Sequence, residues 1–326
     1  MIQNQWYVVL NSRQVKTRPV GVTRMGEKLV FWRDQEGKVN CAFDRCPHRG
    51  AQLSAGKIHN GALQCPFHGF EYDSSGQCIL IPATGVVSKP PRGMRLKSYP
   101  TFEDHGFIWL WWGENPPEDL QPPPFFNNLD DSFTYGSIID PWNAHYSRAV
   151  ENQLDVAHLP FVHHNTIGRG GRTLVDGPVV EWCEDDQKMM CTYVFNRVDD
   201  GTKPRTADQL SPRQSQVHLE LILPNLWQNY ISEDVRILAA FVPVDKKHTL
   251  IYLRFYQKFV ALPLLGKVVA QLAMPFNLRI LRQDRRVVET QEPKASGMRI
   301  GEKPIAADIP IVTYRKQRQK LQEQAK

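Results

Sequence analysis

Cysteine is scarce: six residues in 326, too few and too scattered for a disulfide scaffold, so a fold of this length must rest on a buried apolar core. The opening residues, MIQNQWYVVL, lack the basic start and apolar core of a secretory leader. That leaves no signal for export and implies a cytoplasmic protein. No stripe of one charge is visible either. The net charge is +6, and the basic residues are dispersed except for RKQRQK near the end, so no nucleic-acid partner is expected. Internal repeats and low-complexity segments are absent. So is a nucleotide fingerprint, because the Gly168-Arg169-Gly170-Gly171 run is not a GxGxxG after a strand. The most apolar stretch, FVALPLLGKVVAQLAMPF at 259–276, is interrupted by Pro263, Gly266, Lys267 and Pro275 within the roughly 20 residues that a membrane span needs. It is read as a buried helix or pocket cap, and a membrane partner is not expected. Whether this face touches a membrane or another subunit stays open.

What is present suits roughly two domains: 41% of residues are hydrophobic and 23% charged. WYVVL, KLVFWRD, KVNCAFD and GFIWLWW are β-branched and aromatic runs between turn residues, so residues 1–115 read as a small antiparallel β domain. The prolines of ENPPEDLQPPP, residues 114–124, can continue neither a ladder nor a helix, and 116–124 is read as a stiff linker. The second domain, 125–312, begins with helical character around 143–164. It continues with QVHLELILP, VRILAAFVPV and TLIYLRFYQKF as strands and a helix over roughly 264–291. Residues 313–326 read as a charged tail. The class expected is α+β, with helices on one face of an antiparallel sheet. Cys183 and Cys191 are taken as buried small hydrophobes.

Residues 46–50 read CPHRG and residues 65–69 read CPFHG. Cys46-x-His48, sixteen intervening residues and Cys65-x-x-His68 supply two thiolates and two imidazoles from two loops. A Rieske [2Fe-2S] centre requires that donor set, two Cys on one iron and two His on the other. Gly50 and Gly69 let backbone N–H groups approach the cluster sulfurs, while Pro47 and Pro66 stiffen the loops. A structural Cys2His2 zinc site would accept the same donors, but the paired proline and glycine contexts favour the cluster. This half resembles the Rieske family. The Rieske proteins of respiratory complexes carry an extra, disulfide-bonded cysteine in each loop. Here Ala51 follows Gly50 and Phe67 sits inside the second loop, so the resemblance is to the lower-potential oxygenase type. Cys41 and Cys78 lie outside both loops and read as core or surface residues.

A second constellation is ENQLDVAHLPFVHH, residues 151–164. On a regular helix His163 and His164 are displaced from His158 by about 140° and about 120° in opposite senses, so geometry does not choose between them. Asp155, His158 and His163 resemble the D-x2-H-x4-H spacing of Rieske non-heme iron oxygenases. That spacing selects His163 as a ligand, implies a helix distorted near Pro160, and leaves His164 at the surface or behind a ligand. The resemblance supplies the third ligand from a late helix, Asp284 of LRQDRRVVETQ, completing two imidazoles and one carboxylate with open positions for O2. It also implies that Asp155 bridges to a Rieske histidine of a neighbouring subunit and fixes the tautomer of His158. Asn152 is either close to the iron or a helix-surface amide.

The resemblance covers nearly the whole chain. It implies a helix-grip, START-like catalytic domain, a head-to-tail homotrimer, mononuclear Fe(II), and O2 as co-substrate. Electrons would come from NAD(P)H through a separate flavin- or iron–sulfur-containing reductase or a ferredoxin. The length favours monooxygenation, by hydroxylation or O- or N-demethylation, over ring dihydroxylation. A Rieske electron-transfer protein with a degenerate second domain is the reading from another class. His218, Asn225, Trp227 and Asn229 are the polar candidates on strands that would line a pocket for an apolar, aromatic substrate, and which of them face inward depends on register.

Overall fold

The computed structural model describes residues 1–114, 116–183, 188–215 and 217–325. Asn115 of the expected linker and Gln216 at the head of QVHLELILP lie outside the described residues. The chain divides into two compact units, Met1–Pro123 and a second beginning at Pro124, which falls at the end of the proline-rich stretch.

The first unit contains eleven strands: β1 Gln5–Asn11, β2 Val20–Arg24, β3 Glu27–Arg33, β4 Val39–Phe43, β5 Lys57–His59, β6 Ala62–Gln64, β7 Glu71–Tyr72, β8 Cys78–Leu80, β9 Ser98–Tyr99, β10 Thr101–Asp104 and β11 Phe107–Trp112. They form three antiparallel sheets in the orders β1-β11-β10, β2-β3-β4-β9 and β5-β6-β7-β8. Strand β3 explains how one short domain carries two cores. Its alternate residues Leu29 and Phe31 pack with Tyr7, Val9 and Leu110, while Val30 and Trp32 turn to the opposite face among Cys46, Leu63, Cys65 and Tyr72. A strand buried on both faces reads as a continuous apolar run, as KLVFW does. Cys41 and Cys78 are core residues, one in each cluster.

The second unit is a seven-stranded antiparallel sheet with helices. Its strands are β12 Thr134–Trp142, β13 Leu174–Trp182, β14 Met189–Arg197, β15 His218–Ile222, β16 Leu226–Ser232, β17 Val235–Pro243 and β18 Thr249–Gln257, in the order β12-β18-β17-β16-β15-β14-β13. The helices are α1 Tyr146–Leu154, α2 Leu159–Val162, α3 Pro263–Leu272, α4 Met274–Val288 and α5 Ile309–Gln324. The two strands that patterning alone passes over most completely are the edges. Pro141 in β12 and Pro178 in β13 interrupt the alternation, and an edge strand is where a missing N–H can be tolerated.

Three expectations are corrected. The helix expected over 264–291 is two helices broken at Ala273, because Pro275 has no N–H to offer Gln271 and its ring crowds that carbonyl. Residues 313–326, expected as a charged tail, lie mostly in α5, where Tyr314, Arg315, Gln317 and Arg318 are buried. Cys183 is exposed rather than a buried hydrophobe, and its sulfur is bonded to that of the buried Cys191 across the β13–β14 hairpin. The register places Glu181 opposite Cys191 with the Cys183 N–H donating to Met189, so the two cysteine Cα atoms are brought to 6.2 Å.

Candidate metal centres and substrate cavity

The two Cys-Pro loops share one backbone design. Cys46 N–H donates to Ala51 O and Gly50 N–H returns to Cys46 O, both at 2.8 Å. Cys65 N–H donates to Phe70 O at 2.8 Å and Gly69 N–H returns to Cys65 O at 3.1 Å. Gly50 and Gly69 close these turns at φ 74° and 72°, a conformation that a Cβ disfavours. The donors are graded by depth. Cys46 and Cys65 are 2% and 3% exposed in the core, whereas His48 and His68 sit at the rim with ring centroids 4.7 Å apart and His48 stacked on Phe70. Buried sulfurs below and accessible imidazoles above suit a cluster with two chemically distinct irons, and burial pushes the Cys65 thiol up in the metal-free chain.

One neighbour of the cluster loops was not foreseen. Tyr72 is fully buried with its hydroxyl 3.2 Å from Cys46 Sγ. Burial, and then Cys46, push its phenol far up, so Tyr72 keeps its proton and would donate it to the Cys46 sulfur of a bound cluster. A hydrogen bond to sulfur stabilises the more negative, reduced cluster. Removing it in Tyr72→Phe is expected to lower the midpoint potential by up to about 59 mV, the one-electron equivalent of about 1.4 kcal/mol, in a redox titration followed by EPR. An unchanged potential would show that the hydroxyl does not act on the cluster.

The second site forms where α1 ends. Asp155 caps that helix, and Asp155 Oδ1 accepts the N–H groups of Ala157 and His158 at 2.7 and 3.2 Å, turning the chain before the four-residue α2 begins. His158 is the N-cap and His163 the C-cap of α2, with Pro160 in its first turn. The expected distortion thus lies before Pro160 rather than at it. Because the two histidines flank a short new helix, they escape the regular-helix angles and converge on Asp284 from α4. His158 Nε2 and His163 Nε2 lie 3.4 and 2.9 Å from Asp284 Oδ1, and the candidate ligand atoms of all three residues lie within 4.8 Å of one another. His164 is exposed, with Nδ1 3.1 Å from Phe161 O, and faces a separate groove beside Arg279 and Arg286.

The tautomers are set by the other ring nitrogens. His158 Nδ1 donates to the Asp155 backbone carbonyl at 2.9 Å, while the Asp155 carboxylate stands 3.8 Å away. The main chain of Asp155, more than its side chain, therefore orients this ring. His163 Nδ1 donates to Gln283 Oε1 at 2.8 Å, and that oxygen also accepts from Thr166. Both Nε2 atoms are left facing a buried carboxylate, an arrangement that favours positive charge between them, either protons on the rings or a metal ion. The charges agree. Burial disfavours the His158 imidazolium, but Asp155 and Asp284 outweigh it and raise its pKa to about 9. Burial likewise opposes ionisation of Asp284, yet the two imidazoles hold its carboxyl below the usual carboxylate range. The donor set fits a divalent metal that takes two imidazoles and one carboxylate.

Gln283 and Gln153 were missed because nothing in a sequence marks a glutamine beside an acid as a ligand's partner. Gln153 Nε2 reaches Asp284 Oδ2 at 3.3 Å and Asn152 Oδ1 at 2.8 Å, while Asn152 itself comes only to 3.5 Å from Asp284. Gln283→Ala should free the His163 ring and weaken iron binding by about 10- to 100-fold, measured by competition with a chelator. Iron affinity equal to that of the unaltered protein would sink that role.

The three candidate ligands lie on the wall of a cavity of about 390 Å³ between the sheet and α4. Register decides which strand residues line it. The cross-strand rungs Leu219–Asn229–Ile237–Phe255 and Leu221–Trp227–Ala239–Leu253 alternate with His218–Tyr230–Arg236–Tyr256 and Glu220–Gln228–Leu238–Arg254. Trp227 and Asn229 line the cavity. His218 and Asn225 do not. His218 faces the other side of the sheet, bonded to Glu220 and stacked on Tyr230, and Asn225 is buried in the β15–β16 turn and donates to Phe241 O. The period of two sends neighbouring rungs to opposite faces.

Against this geometry, the Rieske [2Fe-2S] domain family matches residues 5–100, and the vanillate O-demethylase oxygenase C-terminal domain family matches residues 142–324, more than half of the chain. The oxygenase subunit of vanillate O-demethylase from Pseudomonas sp. (strain HR199 / DSM 7063) is 32% identical over 198 residues, 60% of this chain and 53% of that protein. The oxygenase component of dicamba O-demethylase from Stenotrophomonas maltophilia is 33% identical over 167 residues, 50% of this chain and 48% of that protein. The matched region spans about half the length of these relatives. In fold, NdmA of Pseudomonas putida CBB5 superposes with a TM-score of 0.79 at 23% identity, covering 98% of this chain and 90% of that one. An N-terminal Rieske domain and a C-terminal domain of this kind, matched in that order along one chain, place this protein in the family of Rieske oxygenases related to vanillate O-demethylase.

Proposed function

We propose that this protein is the terminal oxygenase component of a cytoplasmic Rieske non-heme iron monooxygenase. It would use O2, and electrons from a separate NAD(P)H-dependent reductase or ferredoxin, to hydroxylate or O- or N-demethylate a small aromatic compound. The observation that carries this reading is the convergence of two imidazole Nε2 atoms and a buried carboxylate on the wall of a largely apolar cavity. Cys46, His48, Cys65 and His68 would hold the [2Fe-2S] cluster, and His158, His163 and Asp284 the mononuclear Fe(II). When bound, that iron supplies reductive activation of O2. The chain's own residues do the rest. Val194, Leu219, Ile237, Leu253 and Phe255 exclude water and accept a planar apolar body. Trp227 Nε1 and Asn229 Oδ1 are buried without a partner, one donor and one acceptor able to orient a polar substituent of the substrate. Asp155, part of whose side chain is exposed, is the candidate bridge to the Rieske histidine of a neighbouring protomer in a homotrimer.

Two measurements test this. Iron analysis should give about three atoms per chain, against about two for a Rieske electron carrier, and O2 consumption with a surrogate reductase should rise with methoxylated aromatics. Ligand choice is tested separately: His163→Ala should lose the mononuclear iron, whereas His164→Ala should retain it. The reverse result would mean that the ligand register is wrong.

A further inference from the structure

Helix α3 is packed inside out. Its inward face is made of small residues. A Cβ on Gly136 of β12 would lie 2.4 Å from Ala270 O, and a Cβ on Gly266 would lie 2.5 Å from Thr134 Oγ1, so helix and strand approach too closely for larger side chains. The large apolar residues point away from the protein. Leu264, Leu265, Val268 and Leu272 are 81%, 51%, 53% and 75% exposed, and the row at intervals of four continues to Phe276, 56% exposed, at the start of α4. An amphipathic helix that served only to cover the sheet would have the opposite pattern.

Two further features say what this face meets. It is continuous with the mouth of the cavity, because Phe276, together with the exposed Ile231 and Ile167, also lines that cavity. Two exposed cations, Lys267 and Arg279, also stand on the segment itself, whereas Arg282 is paired with Asp140 and Lys258 lies beside the Glu233–Asp234 turn. From Lys258 to Gln283 the chain contains no aspartate or glutamate. A second copy of the chain docked face to face would bring the exposed cations together with no acid in the segment to pair them. Anionic lipid headgroups complement them. A spanning arrangement does not fit, although Pro263–Val288 is long and apolar enough for one, because Asp284 within that stretch is bonded to His158 and His163.

We propose that the outer face of α3 and the first turn of α4 is a membrane-docking surface, lying on an anionic bilayer with Leu264, Val268, Leu272 and Phe276 inserted among the acyl chains. The cavity mouth would then open toward the lipid, so that an apolar substrate can enter from the bilayer. The substrate route rests on the functional reading above. The docking does not, since it is measured without turnover.

The test is co-sedimentation of the metal-loaded full chain with phosphatidylcholine vesicles, with and without phosphatidylglycerol. Binding is expected to be stronger on the anionic vesicles and to weaken with salt. Leu264→Ser/Leu272→Ser should lower the partition coefficient by at least about tenfold. Lys267→Gln/Arg279→Gln should abolish the preference for phosphatidylglycerol. Each variant's fold is checked by its mononuclear-iron content and circular dichroism, and turnover on a water-soluble methoxyarene separates a lost surface from a lost enzyme. The proposal is overturned by absence of vesicle binding or by binding indifferent to the leucine pair. It is equally overturned if the leucine pair lowers the mass of a soluble oligomer, which would make the face a subunit contact.

Discussion

Asp284→Ala is expected to yield a folded protein with about two irons per chain instead of about three, the Rieske spectrum intact and turnover gone. Asp284 is the only carboxylate facing the two Nε2 atoms among the described residues, and at 3% exposure no water can readily take its place. Two neutral imidazoles alone hold a divalent ion poorly at an apolar wall. The Rieske loops, Cys46–Gly50 and Cys65–Gly69, belong to the other compact unit and close their own backbone hydrogen bonds, so their cluster should be indifferent to the change. Asp284→Asn sharpens the experiment. It keeps the shape and the hydrogen-bonding capacity toward Gln153 but removes the charge, so it should lose the iron as well. If either variant retains a third iron and wild-type turnover, Asp284 is not a ligand.

The largest effect on stability is expected at a site without redox chemistry. Glu151 on α1 is 4% exposed and receives Arg315 of α5 at 2.6 and 2.9 Å and Arg148 at 3.1 Å, with Glu302 closing the group. Arg148 and Arg315 are 1% and 8% exposed. Removing Glu151 would leave two guanidinium groups buried, with the half-exposed Glu302 as the remaining acid and the Pro293 carbonyl as a neutral acceptor for Arg148. Breaking a buried pair in this way costs about 3–5 kcal/mol, a large part of the roughly 5–15 kcal/mol that holds a domain folded. Glu151→Ala should therefore lower the urea midpoint of the second unit strongly and release α5. Replacing all three members together, Arg148→Met/Glu151→Leu/Arg315→Met, removes the charges as well as the pairing and should recover most of that loss. If the triple variant is no more stable than Glu151→Ala, the group acts through packing rather than charge. Because Glu151 immediately precedes Asn152 and Gln153, the same anchor holds the end of α1 from which the site is built.

Local chemistry was legible in the residues themselves. Two thiolates and two imidazoles in twin Cys-Pro loops ending in glycine admit few uses, and KLVFWRD reads as a strand because β-branched and aromatic residues cluster there between turn residues. WYVVL, KVNCAFD and GFIWLWW are legible as strands for the same reason, since the signal lies in side chains within a few residues of one another. Everything that depended on bringing distant segments together was decided by the tertiary structure. Gln283 reaches His163 across 120 positions, Tyr72 reaches Cys46 across 26, and no local signal announces either bond. His218 and Asn229 looked equivalent as polar residues on neighbouring strands. Pairing placed Asn229 in the cavity rung and His218 in the rung behind it, because one residue of register reverses a side chain's face. Cys191 met Cys183 through the pairing of β14 with β13, an edge strand hidden by Pro178. The sequence by itself determined which metals the chain could hold. The three-dimensional fold decided which side chains hold the candidate ligands in place, which line the cavity, and why the leucines of α3 point outward: Gly136, Gly266 and Ala270 leave no room for them inside.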